Sequence, residues 1–262
     1  MVSSELRLEY DGDIASVVLD RPDRRNALTQ AMWHRLIEIS EQIDADGRAR
    51  LVLLRSSTPG IFSAGADVTE YREHATDLDW SEESQRIVGR ALGAVAAISV
   101  PTLAVVDGPC FGGGCGLVVA ADWCVATAGS TFAITPAKLG MVYPFPATVD
   151  LVDRVGAGAA KWLLFTGAAA DAERAQRIGL VDDLAADADG LAMLVEHYIS
   201  MMRQTSTHSV RIMKQAIARV RRGDRTPDAT TAGWVRQALE SADYHEGVSA
   251  FMERRAPRFG AP

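Results

Sequence analysis

At 262 residues, with 48% hydrophobic and 23% charged, the chain has the length and balance of an ordinary globular protein with a sizeable core. Its net charge of −7 argues against nucleic acid or an anionic membrane as a bulk partner. Cys110, Cys115 and Cys124 are odd in number and form no C-x-x-C pair, which points to reduced, buried thiols in a cytoplasmic protein.

The opening residues show no apolar export segment, and no run approaches the ~18 apolar residues of a membrane span. Leu6, Leu8 and Tyr10 alternate up to Asp11-Gly12, and Ile14 to Leu19 resume beyond it, so the chain opens on a hairpin. A basic loop, Asp23-Arg24-Arg25-Asn26-Ala27, precedes a helix whose face is Leu28, Met32, Leu36, Ile39 and Ile43. Leu51 to Leu54 reads as a buried strand closed by Ser56 to Gly60. Ile61-Phe62 then approaches a glycine corner at Gly65, and the polar stretch Thr69 to Leu78 reads as a mobile loop or frayed helix. Asp79, with Glu82 three residues on, is set as the cap of a helix carrying Ile87, Ala91, Ala94, Val95 and Ile98.

The stretch Pro101 to Leu117 organises the rest. Leu103 to Val106 is a short buried strand, Asp107-Gly108-Pro109 turns, and Gly112-Gly113-Gly114 strips the next corner of side chains. A helix is expected over Leu117 to Trp123. Bare N–H groups at such a strand-to-helix junction stabilise an anion, or an oxygen becoming one. The triplet is not a dinucleotide fingerprint, because the sixth position from Gly112 is Leu117, and no P-loop sequence occurs.

Beyond it come two short strands, Cys124 to Thr127 and Ser130 to Thr135, and a proline-rich loop from Pro136 to Pro146. Helices follow: Ala147 to Val155 (stopped by Gly156), Ala159 to Phe165, Asp171 to Ile178, Leu191 to Met202, Val210 to Val220 and Pro227 to Leu239. Thr226-Pro227 marks the start of the last of these, and a basic tail closes the chain. Strands alternating with helices, then helices alone, predict an α/β core over residues 1–195 and a helical region over 196–262. The five histidines show no metal-ligand spacing, and no metal or redox cofactor is expected.

Taken together, Asp20 to Leu28, Phe62-Ser-Ala-Gly-Ala-Asp67, Pro101 to Gly116, Phe132 to Gly140, Leu163 to Gly167, Asp171 to Val181 and Glu246 to Phe259 resemble the crotonase superfamily, the enoyl-CoA hydratase/isomerase fold. The resemblance implies a spiral of ββα turns and a C-terminal helical region that builds homotrimers or hexamers. It implies an acyl-CoA substrate, with CoA part of that substrate rather than a cofactor, and a place in fatty-acid metabolism. It puts the thioester oxygen between the backbone N–H groups of Ala66 and Gly113. It further assigns Arg24, with Arg25 beside it, Ala64, Gly65, Asp67, Val68, Thr135 and Arg254 to substrate or CoA contacts, Arg254 sometimes toward a neighbouring subunit.

The departures from the family are chemical. Hydratases of this family carry glutamates at the positions of Gly116 and Pro136, and two carboxylates flanking a water are the acid–base apparatus of hydration. Thr135-Pro-Ala-Lys-Leu-Gly-Met-Val-Tyr143 is instead similar to the methylmalonyl-CoA decarboxylase-like branch, in which the threonine and tyrosine face the acyl group. That branch's histidine at the first corner is Ala66 here, and its glutamate at the Gly116 position is again missing. Three readings follow: a decarboxylase-like lyase using Tyr143, a hydratase or isomerase drawing its acid or base from Asp67 or Asp150, and an acyl-CoA-binding protein without turnover.

Overall fold

A computed structural model describes residues 5–74 and 76–260. Residues 1–4, on which the expectation of no export signal partly rests, lie outside them, as does Ala75 in the polar stretch. The opening hairpin pairs β1 (Leu6–Asp11) with β2 (Ile14–Leu19) around Gly12, whose φ of 59° makes the turn. Then α1 (Gln30–Asp46) runs from a Thr29 cap to Gly47, and β3 (Leu51–Ser56) returns parallel to β2. The polar stretch is not wholly loop: α2 (Val68–Glu73) forms there because the Asp67 carboxylate accepts from the Thr69 N–H. Likewise α3 (Leu78–Ala97) begins before Asp79, since Asp77 takes the Trp80 N–H at 2.9 Å.

Next are β4 (Thr102–Val106), β5 (Pro109–Phe111) and α4 (Gly113–Ala120), followed by β6 (Trp123–Thr127) and β7 (Thr131–Ala133). The helix expected over Leu117 to Trp123 therefore starts four residues earlier, and Trp123 belongs to a strand. After it, α5 (Phe145–Thr166) is one run broken at Gly156, where φ 74° and ψ 159° separate the two expected helices. The chain continues through β8 (Ala170–Asp171), α6 (Ala172–Arg177), β9 (Asp183–Ala185), α7 (Ala188–Arg203), α8 (Thr207–Arg221), α9 (Ala229–Glu240) and α10 (Ala242–Glu253). For α9 the cap is Asp228, in a reciprocal box with Thr231, so Pro227 stands just outside the helix.

A six-stranded sheet orders β1-β2-β3-β4-β6-β9, all parallel except the opening pair, and β5-β7-β8 form a smaller sheet. Strand alternation explains the unbroken apolar run of β3. Val52 and Leu54 face the core under α1 and α3, while Leu51 and Leu53 face α7 through Leu191, Tyr198 and Ile199. Burying each such side chain contributes roughly 1.5–3 kcal/mol, which fixes the C-terminal ends of β3 and β4 firmly in place. The glycine corners leave from those ends. Among the described residues no helix is long and apolar enough to cross a membrane.

Candidate active site

After β3 the chain passes Ser57 to Gly60 and runs beside β5. Phe62 and Ser63 N–H both donate to the Pro109 carbonyl at 3.1 Å, and Phe111 N–H donates to Ser63 O at 2.8 Å. This pairing carries the two glycine corners forward side by side. At the first, Gly65 has φ 96°, and a Cβ there would stand 2.9 Å from Phe111 O. At the second, Gly112 has φ 48° and ψ −111° and hands the chain to α4. Main chain therefore touches main chain where the corners meet, which only glycine allows.

Each corner then presents one N–H. Leu28 N–H donates to Gly65 O at 2.7 Å and Asp67 N–H to Leu28 O at 3.0 Å, so the Ala66 N–H between them points away from this bridge. Gly112 N–H is taken by Ala133 O at 2.8 Å, whereas Gly113 N–H opens α4 and has no acceptor within the helix. No acceptor among the described residues takes either N–H, and both residues are only partly buried. Two fixed donors, one at a helix N-terminus, can stabilise an oxyanion by several kcal/mol in total.

A polar frame holds the first corner. Buried Asn26, at φ 54°, donates to Phe62 O at 3.0 Å and to Ser56 Oγ at 2.7 Å, and its side-chain oxygen accepts from Arg21 N–H. Ser63 Oγ donates to Asn26 O and accepts from Gly65 N–H. Arg21 reaches Asp67 at 2.6 Å and Ala27 O at 3.0 Å. Burial pushes the Asp67 carboxyl up, but Arg21 and the Thr69 hydrogen bonds outweigh it and hold the group below the ordinary carboxylate range. Asp67 thus caps α2 and pairs with Arg21. Sequence reading missed Arg21, which is 46 residues from Asp67 in sequence.

Of the two positions that the resemblance turns toward the acyl group, Tyr143 lies against Gly116. Tyr143 brings its hydroxyl to 3.3 Å from where a Gly116 Cβ would stand, with Leu92 Cδ1 at 3.0 Å from the same point. That hydroxyl is buried and has no hydrogen-bond partner among the described residues. Burial, with lesser contributions from Cys115, Cys110 and Asp150, pushes it far above an ordinary tyrosine. Thr135 leads into the turn of Pro136 to Leu139, with no side-chain capping bond there. Asp150 is paired with Arg221 at 2.8 Å. Glu70, unremarked in the sequence, accepts Gln30 N–H at 2.9 Å and is held above its ordinary range, mainly by burial.

On the CoA side, Arg24 and Arg25 are exposed on the loop whose Arg25 carbonyl accepts from Ala64 N–H at 2.9 Å, so basic loop and first corner are neighbours. Ala64 and Val68 are exposed there as well. Arg254 lies elsewhere. It ends α10, and the tail beyond it is tied to Arg50 through Gly260 O, at the N-terminal end of β3. The corners leave the opposite end of that strand, so one chain does not bring Arg254 to them. Cys110, Cys115 and Cys124 are free and buried, the first two with sulfurs 3.9 Å apart behind the second corner.

Two main-chain donors at adjoining corners, set over a mixed sheet with helices gathered at the C-terminus, define a crotonase-type fold. A family model described as "Enoyl-CoA hydratase/isomerase" matches residues 9–262. The chain belongs to the enoyl-CoA hydratase/isomerase family. It is 31% identical to the mouse enoyl-CoA hydratase domain-containing protein 2, mitochondrial, over 94% of this chain and 84% of that protein. Among solved structures it is similar to an enoyl-CoA hydratase/carnithine racemase from Magnetospirillum magneticum, at 30% identity and a TM-score of 0.92, covering 99% and 96% of the two chains. An enoyl-CoA hydratase/isomerase from Marinobacter aquaeolei follows at 26% identity and a TM-score of 0.88, covering 97% and 98%. The expected α/β core with C-terminal helices is the architecture of these neighbours.

Proposed function

We propose that this protein is a decarboxylase-like lyase that acts on a carboxylated acyl-CoA thioester through an enolate held by Ala66 and Gly113. The observation that carries this reading is the Tyr143 hydroxyl, an unpaired buried donor lodged against Gly116, where a hydratase of the family has a carboxylate. The two aspartates considered as replacements for the missing glutamates, Asp67 and Asp150, are each held by an arginine. In the reaction the bond between the α-carbon and the carboxylate breaks and CO₂ leaves. The electron pair flows into the thioester, and negative charge settles on the oxygen between the two N–H groups. A proton from water then completes the α-carbon. The raised Tyr143 hydroxyl keeps its own proton, so it orients the departing carboxylate by hydrogen bonding.

Arg24 and Arg25 are assigned to CoA phosphates, and Ala64, Gly65, Asp67 and Val68 to main-chain contacts along CoA. Thr135 is assigned to the acyl group. Arg254 is assigned to a neighbouring copy's site, and the exposed Val235, Leu239, Val248 and Phe251 of α9 and α10 fit a homotrimer or hexamer. A second reading, hydration or isomerisation of an enoyl-CoA, is favoured by the names of the relatives and by Glu70, whose carboxyl is held up beside the first corner.

The test is a panel of malonyl-type, enoyl- and 3-hydroxyacyl-CoA esters followed by mass spectrometry and CO₂ release. Decarboxylation without hydration is the expected result, and Gly113→Pro, which deletes one donor, should abolish it in a folded protein. Rapid hydration of an enoyl-CoA would replace this reading with the second, and ester binding without any product would leave only a binding protein.

A further inference from the structure

Beside Tyr143 a groove of about 710 Å³ opens between α3 and residues 142–148. Val142, Pro144, Phe145 and Pro146 make its walls apolar, and among the described residues the charged ones that line it are Arg86 and Arg90 of α3, with no carboxylate. Arg86 is paired with Glu83, whereas Arg90 has no hydrogen bond or ion pair among the described residues. In a chain of net charge −7, an unpaired guanidinium at the mouth of an apolar groove is an arrangement that attracts an anion.

The helix gives the groove a direction. Leu92 of α3 abuts Gly116, at the point where Tyr143 places its hydroxyl. Gly89, one turn earlier, leaves room in the groove, since a Cβ there would already stand 3.7 Å from Pro146 Cγ. Arg90 and Arg86 lie two and six residues before Leu92, about 3 and 9 Å along the helix axis. Arg86 and Arg90 thus line the same groove as Tyr143.

We infer that the groove takes the distal end of the acyl group and that this end carries a second carboxylate, read by Arg90 and retained through the reaction. This rests on the acyl-CoA reading of the site and goes beyond it by naming the substrate class: CoA thioesters that carry a distal carboxylate besides the departing one, so that decarboxylation leaves the CoA thioester of a dicarboxylic acid, the class tested below. The carboxylate that departs lies against Tyr143, in apolar surroundings. The one that stays reaches the guanidinium, where an ion pair would oppose its loss.

Competition binding with pairs of equal length tests this: succinyl- against butyryl-CoA and adipoyl- against hexanoyl-CoA, with free CoA as a control. The expected result is tighter binding of at least one dicarboxylic ester by roughly five- to tenfold, as befits a half-exposed ion pair, shrinking as salt is raised. Arg90→Met, which keeps the apolar stem, should abolish that preference and leave the monocarboxylic ester and CoA unchanged. Equal binding within each pair, or a preference that survives in Arg90→Met, overturns the inference while leaving the acyl-CoA reading intact. Equal weakening of every ligand, CoA included, also overturns it, by placing Arg90 on the CoA phosphates. Failure of all esters to bind the native protein would take the acyl-CoA reading down with it.

Discussion

The two glycine corners and the Thr135–Pro146 loop meet at one place and are built by opposite means. At the corners main chain holds main chain: carbonyls of Pro109, Ser63 and Ala133 receive backbone hydrogen bonds, and Gly65 stands where a Cβ would strike the Phe111 carbonyl. In the loop the main chain makes one short turn, and side chains decide the rest. Val142 and Phe145 are exposed, while Tyr143 turns inward to fill the volume beside Gly116. Oxygen stabilisation needs only N–H groups and tolerates wide change in side chains around it. The chemistry performed on the stabilised enolate belongs to side chains, and there this chain has left the hydratase pattern.

The largest effect should come from the corners. In Gly65→Ala, the added methyl meets Phe111 O at a φ of 96°, so the two corners must part and the Ala66 N–H must lose its aim. We expect turnover to fall by roughly 10²–10³-fold, the loss seen when one oxyanion donor is removed, with substrate binding less affected. Rate measurements on variant protein with native circular dichroism decide it. An unchanged kcat would mean that the corners no longer hold the reacting oxygen.

Tyr143→Phe separates the loop's chemistry from its packing, because the two readouts should move in opposite directions. Turnover should drop by about 10²-fold if the hydroxyl orients the departing group. Stability should rise, since a buried hydroxyl without a partner costs about 1–3 kcal/mol in the free protein. For a chain of this size each kcal/mol corresponds to about 2–4 °C in Tm. Calorimetry showing a lower Tm with undiminished turnover would return Tyr143 to ordinary packing.

The same contrast explains what could be read in advance. Glycines at 65, 112, 113 and 114 mark the two corners, and the assignment of Ala66 and Gly113 as oxyanion donors came from the family resemblance rather than from the glycines alone. The core helices were legible too, from the spacing of Ile87, Ala91 and Val95, all buried. Their first residues were less so: Asp77 and Asp79 are both plausible caps, and only the local geometry selects Asp77. The start of α4 was obscured because Gly113 and Gly114 are poor helix formers that tertiary contact with Trp33 and Ser63 holds in place. Arg21, Asn26 and Ser63 act across tens of residues, and no periodicity announces a long-range ion pair.

Asp67→Asn loosens the frame without moving a glycine. Asparagine still caps α2, so the change isolates the loss of charge opposite Arg21. Arg21 keeps Glu5 at 2.9 Å when Asp67 is neutralised, so we expect only about 1 kcal/mol of destabilisation at pH 7. The native carboxyl is held below its ordinary range, so its contribution is present above the unfolded value near 3.9 and fades as pH falls through the lower folded value. Denaturant titrations should therefore show native and variant protein differing at pH 7 and converging below about pH 4. A gap that does not narrow at all as pH falls below 4 would assign the loss to shape rather than charge.

The smallest effect should come from Asp150→Asn, and its smallness carries the argument. Asp150 is the carboxylate of α5 that a hydratase reading would recruit from the loop side, and its field reaches the Tyr143 hydroxyl. Its own oxygen is taken by Arg221 of α8, which also holds Asp153, and that arginine is nearly half exposed. Such a pair contributes about 0–1 kcal/mol, and Asp153 keeps Arg221 partnered when Asp150 is neutralised. Turnover should stay within about twofold of the native rate, because a carboxylate spent on a surface arginine neither activates water nor protonates an enolate. A fall of 10²-fold in kcat with an unchanged Tm would show the opposite: Asp150 swings free of Arg221 when substrate binds, and the acid–base work lost at Gly116 and Pro136 has moved onto α5.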